Sequence, residues 1–300
     1  MAFAKVNGVN LYYEETGKGV PLVFVHEFAG DYRSWEHQVR HFSRRYRVII
    51  YNARGYPPSD VPEDPQAYSQ DMSMEDLRGL LDHLGLDKAH IVGFSMGGSA
   101  ALVFGLKYPQ RAHSLVIAGT GSGSTGRRAD FLRDVDYVAS RFESEGMEKV
   151  AEFYTRGPNR VQFEEKDPQG WKMFYEVFRS GSAQGHAYTM RGVQGTRPSI
   201  YELEEGLKKL RVPTLIMVGD EDEPCLEPGL FMKRTILSAG LVIFPKTGHT
   251  LNLEEPELFN SSLMNFLTQV EGGNWRLRNP DSLSGSSVLN SKELEKAGKS

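Results

Sequence analysis

Short apolar runs separated by helical stretches set the strongest limit on what this chain can fold into. Such runs occur at residues 22–25, 47–51, 90–92, 114–118, 214–218 and 241–244. They lack polar alternation, which marks strands buried on both faces. Helical spacing fills residues 35–42, 74–84, 99–108, 204–210 and 258–270; Leu77, Leu80, Leu81 and Leu84 fall on one face of the second. Buried strands alternating with helices predict a mostly parallel central sheet flanked by helices, an α/β class. Sheets of that kind place their sites at the carboxyl ends of the strands. Ahead of them, Asn7-Gly8 between β-formers over residues 6–13 predicts a hairpin.

The alternation breaks once. A Gly- and Ser-rich stretch over residues 119–126 leads into helical sequence studded with aromatic residues, among them Phe131, Tyr137, Phe142, Phe153, Tyr154, Phe163, Trp171, Phe174, Tyr175 and Phe178. A helical insertion between two sheet strands is expected to lie over the strand ends as a cap. Most of its aromatics are expected to form the cap's own core, and a few to line a pocket. The division expected is core 1–121, cap 122–200, core 201–271 and a polar tail 272–300. Part of that tail is expected to be disordered, with Trp275 and Leu277 able to pack back on the body.

The composition narrows the function classes. With 300 residues, 39 % hydrophobic and 25 % charged, the chain can bury a sizeable core. A net charge of −4 and no run of Lys and Arg speak against nucleic acid as a partner. One cysteine, Cys225, excludes an internal disulfide. No apolar run reaches a membrane span, and the first residues lack the pattern of a secretory leader, so a cytoplasmic location is expected. A homo-oligomer is compatible with this composition and not specified by it.

One motif carries chemistry. Gly93-Phe94-Ser95-Met96-Gly97 follows a buried strand and opens a helix. A serine nucleophile needs its oxygen exposed on a sharp strand-to-helix turn, within reach of a base and of N–H donors. Gly-x-Ser-x-Gly arises by accident roughly one time in ten in a chain of this length, but rarely in that setting. The general base is expected to be His249, in the loop after the last strand. Among the other histidines, His37, His41 and His83 are expected on helix surfaces, His90 begins a strand and His113 lies just before one. His186 lies in the cap, where it could touch substrate. The acid that orients the base is expected after strand 214–218, in Gly219-Asp220-Glu221-Asp222-Glu223. Asp222 lies far enough along to turn toward His249; Asp220 is the alternative, or else bonds the loop backbone. The oxyanion of the intermediate needs N–H donors, expected from Met96 and from Phe28 in the loop after strand 22–25. No metal or organic cofactor is called for.

With these residues the chain resembles the α/β-hydrolase superfamily over roughly residues 3–271. The resemblance rests on His26 with the loop to Gly30, Arg54-Gly55 with Ser59, Gly93 to Gly98, Gly219 to Asp222, Gly248-His249, and Leu253-Glu254-Glu255-Pro256. Within the superfamily it is similar to bacterial carboxylesterases and 3-oxoadipate enol-lactonase-like enzymes, and more distantly to meta-cleavage C–C bond hydrolases. The resemblance implies a serine hydrolase that cleaves a small, partly apolar carboxylic ester or lactone through an acyl-enzyme. Cleavage of a C–C bond in a dienoate is the alternative, with Arg54, Arg191 or Arg197 as candidate carboxylate holders. A ligand receptor on a hydrolase scaffold is a third. Ser95 argues against the Asp-nucleophile relatives. Three positions depart from the family pattern. Glu27 stands where a glycine usually follows the histidine, Asn52 stands for an Asp, and Tyr56-Pro57-Pro58 stiffens the following loop. Glu27 is expected to point to solvent; the alternative is that it borders the pocket.

Overall fold

The computed structural model describes residues 2–126, 128–283 and 286–298. Eight strands form one sheet: β1 (Ala2–Val6), β2 (Val9–Thr16), β3 (Pro21–Val25), β4 (Arg47–Tyr51), β5 (Ala89–Phe94), β6 (Ala112–Ala118), β7 (Thr214–Gly219) and β8 (Ala239–Phe244). Their order is β1-β2-β4-β3-β5-β6-β7-β8. β1 and β2 pair antiparallel across the Asn7-Gly8 turn, where both residues have positive φ (45° and 81°), as a tight hairpin turn demands. β2 also runs antiparallel to β4, and every later pairing is parallel. The fold is therefore the mostly parallel sheet flanked by helices that the sequence predicts.

Each apolar strand feeds two cores by simple alternation. Val23, Val25, Ile91, Leu115, Ile117 and Ile216 face one side. There they meet Leu77, Leu80 and Leu81 of α2 (Gln70–His83) and Leu102 and Phe104 of α3 (Met96–Lys107). Leu22, Phe24, Val92, Val116, Leu215 and Met217 face the other. Their partners are Trp35, Phe42 of α1 (Glu36–Phe42), and Phe259, Leu263 and Phe266 of α11 (Pro256–Glu271). Two-sided burial explains why these runs show no polar alternation. His113, expected just before a strand, lies inside β6 and is exposed.

Between β6 and β7 the described residues form helices joined by turns, without a strand. α4 (Arg128–Tyr154) is broken at Gly146 (φ 78°), and α5 (Val161–Lys166), α6 (Pro168–Arg179) and α7 (Ala183–Thr189) follow, then a π-helical turn (Met190–Gln194). α6 shows why such a segment folds. Asp167 caps it by accepting from Gly170 N–H, Pro168 opens it, and Trp171, Phe174 and Phe178 form one buried stripe. The insertion's core contains Phe142, Phe163, Trp171, Phe174 and Phe178, and it is continuous with Phe28, Tyr56 and Met96 from the strand ends. Tyr137, by contrast, is exposed. α8 (Glu204–Lys209) returns the chain to β7, and α9 (Glu223–Thr235) and α10 (Leu251–Glu254) flank β8.

Part of the segment after Gly273 docks on the body. Trp275 Nε1–H donates to Ser238 O (2.7 Å), its ring meets Phe266 edge-on, and Arg278 N–H donates to Leu237 O (2.8 Å). Leu277 is half exposed and does not join them. A short helix, α12, spans Ser291–Lys296. Among the described residues no helix is long and apolar enough to cross a membrane.

Candidate active site

The sheet order reverses beside β3: β4 lies on one side of it and β5 on the other. At such a switch point the loops leaving two neighbouring strands part and leave a crevice. The loop His26–Gly30 leaves β3, and Ser95 leaves β5.

Ser95 sits between β5 and α3 with φ 52° and ψ −108°, a conformation that costs an ordinary residue strain. The turn closes so tightly that a Cβ on Gly93 would meet Gly97 O at 2.3 Å, and one on Gly97 would meet Val25 O at 2.2 Å. The two glycines are thus required by backbone contact, and the serine oxygen is presented outward, with the residue 8 % exposed. Met96 is the first residue of α3, and first-turn N–H groups have no intrahelical acceptor.

The strand-end loops bring two more groups to this point. His249 Nε2 lies 2.9 Å from Ser95 Oγ, and Nδ1 lies 2.7 Å from Asp222 Oδ2. Asp222 is fully buried and His249 nearly so. A carboxylate only accepts, so Nδ1 carries the imidazole proton and Nε2 is free to accept from the serine hydroxyl. Burial alone would raise the Asp222 pKa. The His249 ring and hydrogen bonds from His249, Asn159 and Cys225 outweigh it and hold the pKa below the ordinary value. Asp220 does something else: its Oδ1 accepts from Thr247 N–H (3.2 Å) and ties the β7 and β8 loops together.

The β3 loop is pinned from several sides. His26 Nε2 accepts from Ala53 N–H (3.0 Å), which leaves the proton on Nδ1, and Nδ1–H donates to Glu27 O (2.7 Å). The Phe28 N–H is trans to that carbonyl and so points the opposite way. Phe28 O in turn accepts from Tyr56 O–H (2.9 Å). Phe28 N–H and Met96 N–H are the two donors expected for an oxyanion, and neither has an acceptor among the described residues.

Glu27 does not point to solvent. It is 2 % exposed and forms a two-bond pair with Arg160 of the insertion, Nη1 to Oε1 at 3.1 Å and Nη2 to Oε2 at 2.5 Å. Burial opposes its ionisation. Arg160, His249 and the Ala29 N–H overcome that and depress its pKa. A buried carboxylate requires such a partner. Neither Arg160 nor its neighbour Asn159 is expected from sequence reasoning. The signal that points to them is Glu27 itself, a charge placed just beyond a strand buried on both faces.

His186 is a core residue. Its ring packs against Phe28, Tyr56, Phe142 and Phe178, and Nδ1–H donates to Ser182 O (2.8 Å). Burial brings its pKa down to about 4. The candidate carboxylate holders part company. Arg54 is buried against Asp76, and Arg191 pairs with Asp136 and Glu143 on the surface. Arg197 is 6 % exposed, and burial, first among its surroundings, lowers its pKa to about 10. Its Nη2 donates to Ser122 O (2.7 Å), and among the described residues it pairs with no carboxylate. For a metal, the described residues offer one group, Asp222, Cys225 and His249, whose ligand atoms lie within 4.8 Å of one another. Asp222 and His249 already bond each other there.

A family model described as the alpha/beta hydrolase fold matches residues 20–256. The chain belongs to the α/β hydrolase fold family. Among its relatives is 3-oxoadipate enol-lactonase 1 of Acinetobacter baylyi, 28 % identical over 83 % of this chain and 89 % of that one. A 2-hydroxy-6-oxononadienedioate/2-hydroxy-6-oxononatrienedioate hydrolase of Paraburkholderia phymatum is 25 % identical over 87 % and 92 %. Among solved structures of the α/β hydrolase fold, a thermophilic esterase from Thermogutta terrifontis superposes with a TM-score of 0.79. It is 28 % identical, covering 90 % of this chain and 98 % of that one.

Proposed function

We propose that the protein is a serine hydrolase of carboxylic esters or lactones, with Ser95 as nucleophile, His249 as general base and Asp222 as its orienting acid. The observation that carries this reading is the row Ser95 Oγ, His249 and Asp222, with 2.9 and 2.7 Å links, at the strained elbow. His249 Nε2 takes the serine proton as Oγ attacks the carbonyl. The tetrahedral oxyanion takes N–H donors from Phe28 and Met96, each worth about 3 kcal/mol of barrier. His249 then returns the proton to the leaving oxygen, and an acyl-enzyme remains on Ser95. Water activated by His249 releases the acid. In this reading residues 1–121 and 201–271 form the catalytic core, 122–200 act as a cap that keeps water from the site, and 272–300 are peripheral. The ester and lactone class is supported by the enol-lactonase and esterase relatives.

One observation favours an acidic substituent on the substrate: Arg197, buried without a carboxylate partner among the described residues. It keeps the cleavage of a dienoate as the second reading, in company with the relative from Paraburkholderia.

Turnover of short-chain p-nitrophenyl esters, simple lactones and a meta-cleavage dienoate separates these readings. The expected result is ester or lactone turnover that falls by a factor of about 10⁴ or more in Ser95→Ala. Undiminished turnover in Ser95→Ala overturns the assignment of the nucleophile, and dienoate cleavage far faster than ester cleavage overturns the ester class.

A further inference from the structure

The Arg160–Glu27 pair is placed where a mere packing contact has no need of charge. Glu27 precedes Phe28, the proposed oxyanion donor, and its carboxylate lies within electrostatic range of His249. Arg160 sits in the turn that joins α4 to α5, closed by Arg160 N–H donating to Gly157 O (2.8 Å). The residue before it reaches the other two parts of the site. Asn159 O accepts from His249 N–H (2.6 Å), and Asn159 Nδ2–H donates to Asp222 Oδ1 (3.1 Å). The fit leaves no slack, since a Cβ on Gly248 would meet Asn159 O at 2.5 Å. One turn of the insertion thus holds the oxyanion loop, the base and the acid in register.

The charges matter as well as the contacts. An uncompensated carboxylate beside a forming oxyanion repels it, and beside His249 it favours the imidazolium. Arg160 cancels both effects, and only with Arg160 present is a carboxylate tolerable where the family pattern has glycine. We propose that Arg160 and Glu27 are positioning residues: a charge-neutral strut from the insertion that aims the Phe28 N–H and sets the electrostatic balance at His249. This rests on the serine-hydrolase reading above. The charged and titratable groups around the strut are Asp222 and Cys225 from β7's loop and α9, His26 and Asp31 from the β3 loop, and Tyr56 after β4. From the insertion comes Tyr154, with Arg197 beyond it, and beside the His249 loop lie Glu254 and Lys166.

The test is the pH profile of kcat/KM, whose acid limb reports the base of the free enzyme. The strut predicts shifts of opposite sign. In Arg160→Gln the bare Glu27 carboxylate moves the acid limb up by about half a pH unit or more, and kcat falls at least about tenfold. In Glu27→Gln the bare guanidinium moves the limb down. The double variant Glu27→Gly with Arg160→Gln removes both charges and brings the limb back toward wild type, while kcat, without the strut to aim the Phe28 N–H, stays low. Arg160→Lys keeps the charge and loses the fork, so its limb stays in place while kcat drops. Thermal melts of each variant show that the active fraction is folded. Limbs that stay put, or move the same way, in both folded single variants overturn the strut while leaving the serine-hydrolase reading intact. An absence of Ser95-dependent turnover in the wild-type protein overturns that reading, and the strut with it.

Discussion

Two buried arginine–carboxylate pairs lie near the strand ends, and they do different work. Arg54 clasps Asp76 through Nε and Nη2 at 2.6 and 2.7 Å, and the partners are 22 residues apart. Arg160 also clasps Glu27 through two bonds, but end-on through Nη1 and Nη2, and across 133 residues. The first pair ties the loop after β4 to α2, and its members also bond Ala67 O and Asn7. It stays within the layer that carries the sheet. The second crosses from the sheet's loops to the helical insertion, and its carboxylate lies within electrostatic range of His249. Equal burial therefore does not mean equal function. A pair inside one layer holds a fold, and a pair across the seam sets the geometry of a site.

The difference is open to attack. Asp76→Ala leaves Arg54 buried without its partner and is expected to cost about 3–5 kcal/mol in urea unfolding. Turnover per folded molecule should survive. The double change Arg54→Met with Asp76→Leu removes the charge altogether and is expected to be close to neutral in stability. A large loss of kcat in that folded double variant would erase the contrast with Glu27 and Arg160.

A second, smaller effect lies on the seam. His186 is buried neutral, with its pKa near 4 in the folded protein against the ordinary 6.5. The unfolded chain therefore binds the extra proton first, and stability falls as the pH drops below about 6.5 toward 4. The loss between pH 6.5 and pH 5 is about 1.6 kcal/mol. Chemical denaturation across that window, compared with His186→Gln, should show the slope diminished in the variant. An unchanged slope would remove His186 from the account.

The smallest effect separates Asn159 from Arg160. Asn159→Ala deletes one hydrogen bond to Asp222 and no charge. About a tenfold fall in kcat is expected, with KM and the acid limb unchanged. A moved limb would mean that the turn acts on His249 by shape alone.

What the sequence shows and what it hides follow the same division. The elbow is legible because its cause is local: Gly93 and Gly97 lie within four residues of each other, and their need is backbone crowding. His249 and Asp222 are legible because parallel strands deliver their loops to one end of the sheet. The insertion is legible as helical from its aromatic stripes, of which Trp171, Phe174 and Phe178 are the clearest. Its docking is not. Nothing near Gly157-Pro158-Asn159-Arg160 announces that the turn meets residues 27, 222 and 249, because that contact is decided by how helices stack over the strand ends. Glu27 reads locally as a loop charge, for which solvent is the ordinary environment. Its burial depends on an arginine that local pattern cannot connect to it. Trp275 is a milder case, an aromatic in polar sequence that docks on Phe266 and Ser238.

The most direct test of the central claim is covalent. Treatment of the folded protein with an active-site-directed fluorophosphonate, followed by peptide mapping by mass spectrometry, reads which oxygen is the nucleophile. One adduct per chain is expected on the peptide that carries Ser95, accompanied by loss of ester turnover and absent in Ser95→Ala. An enzyme that stays active without labelling, or an adduct that persists in Ser95→Ala, would contradict the claim.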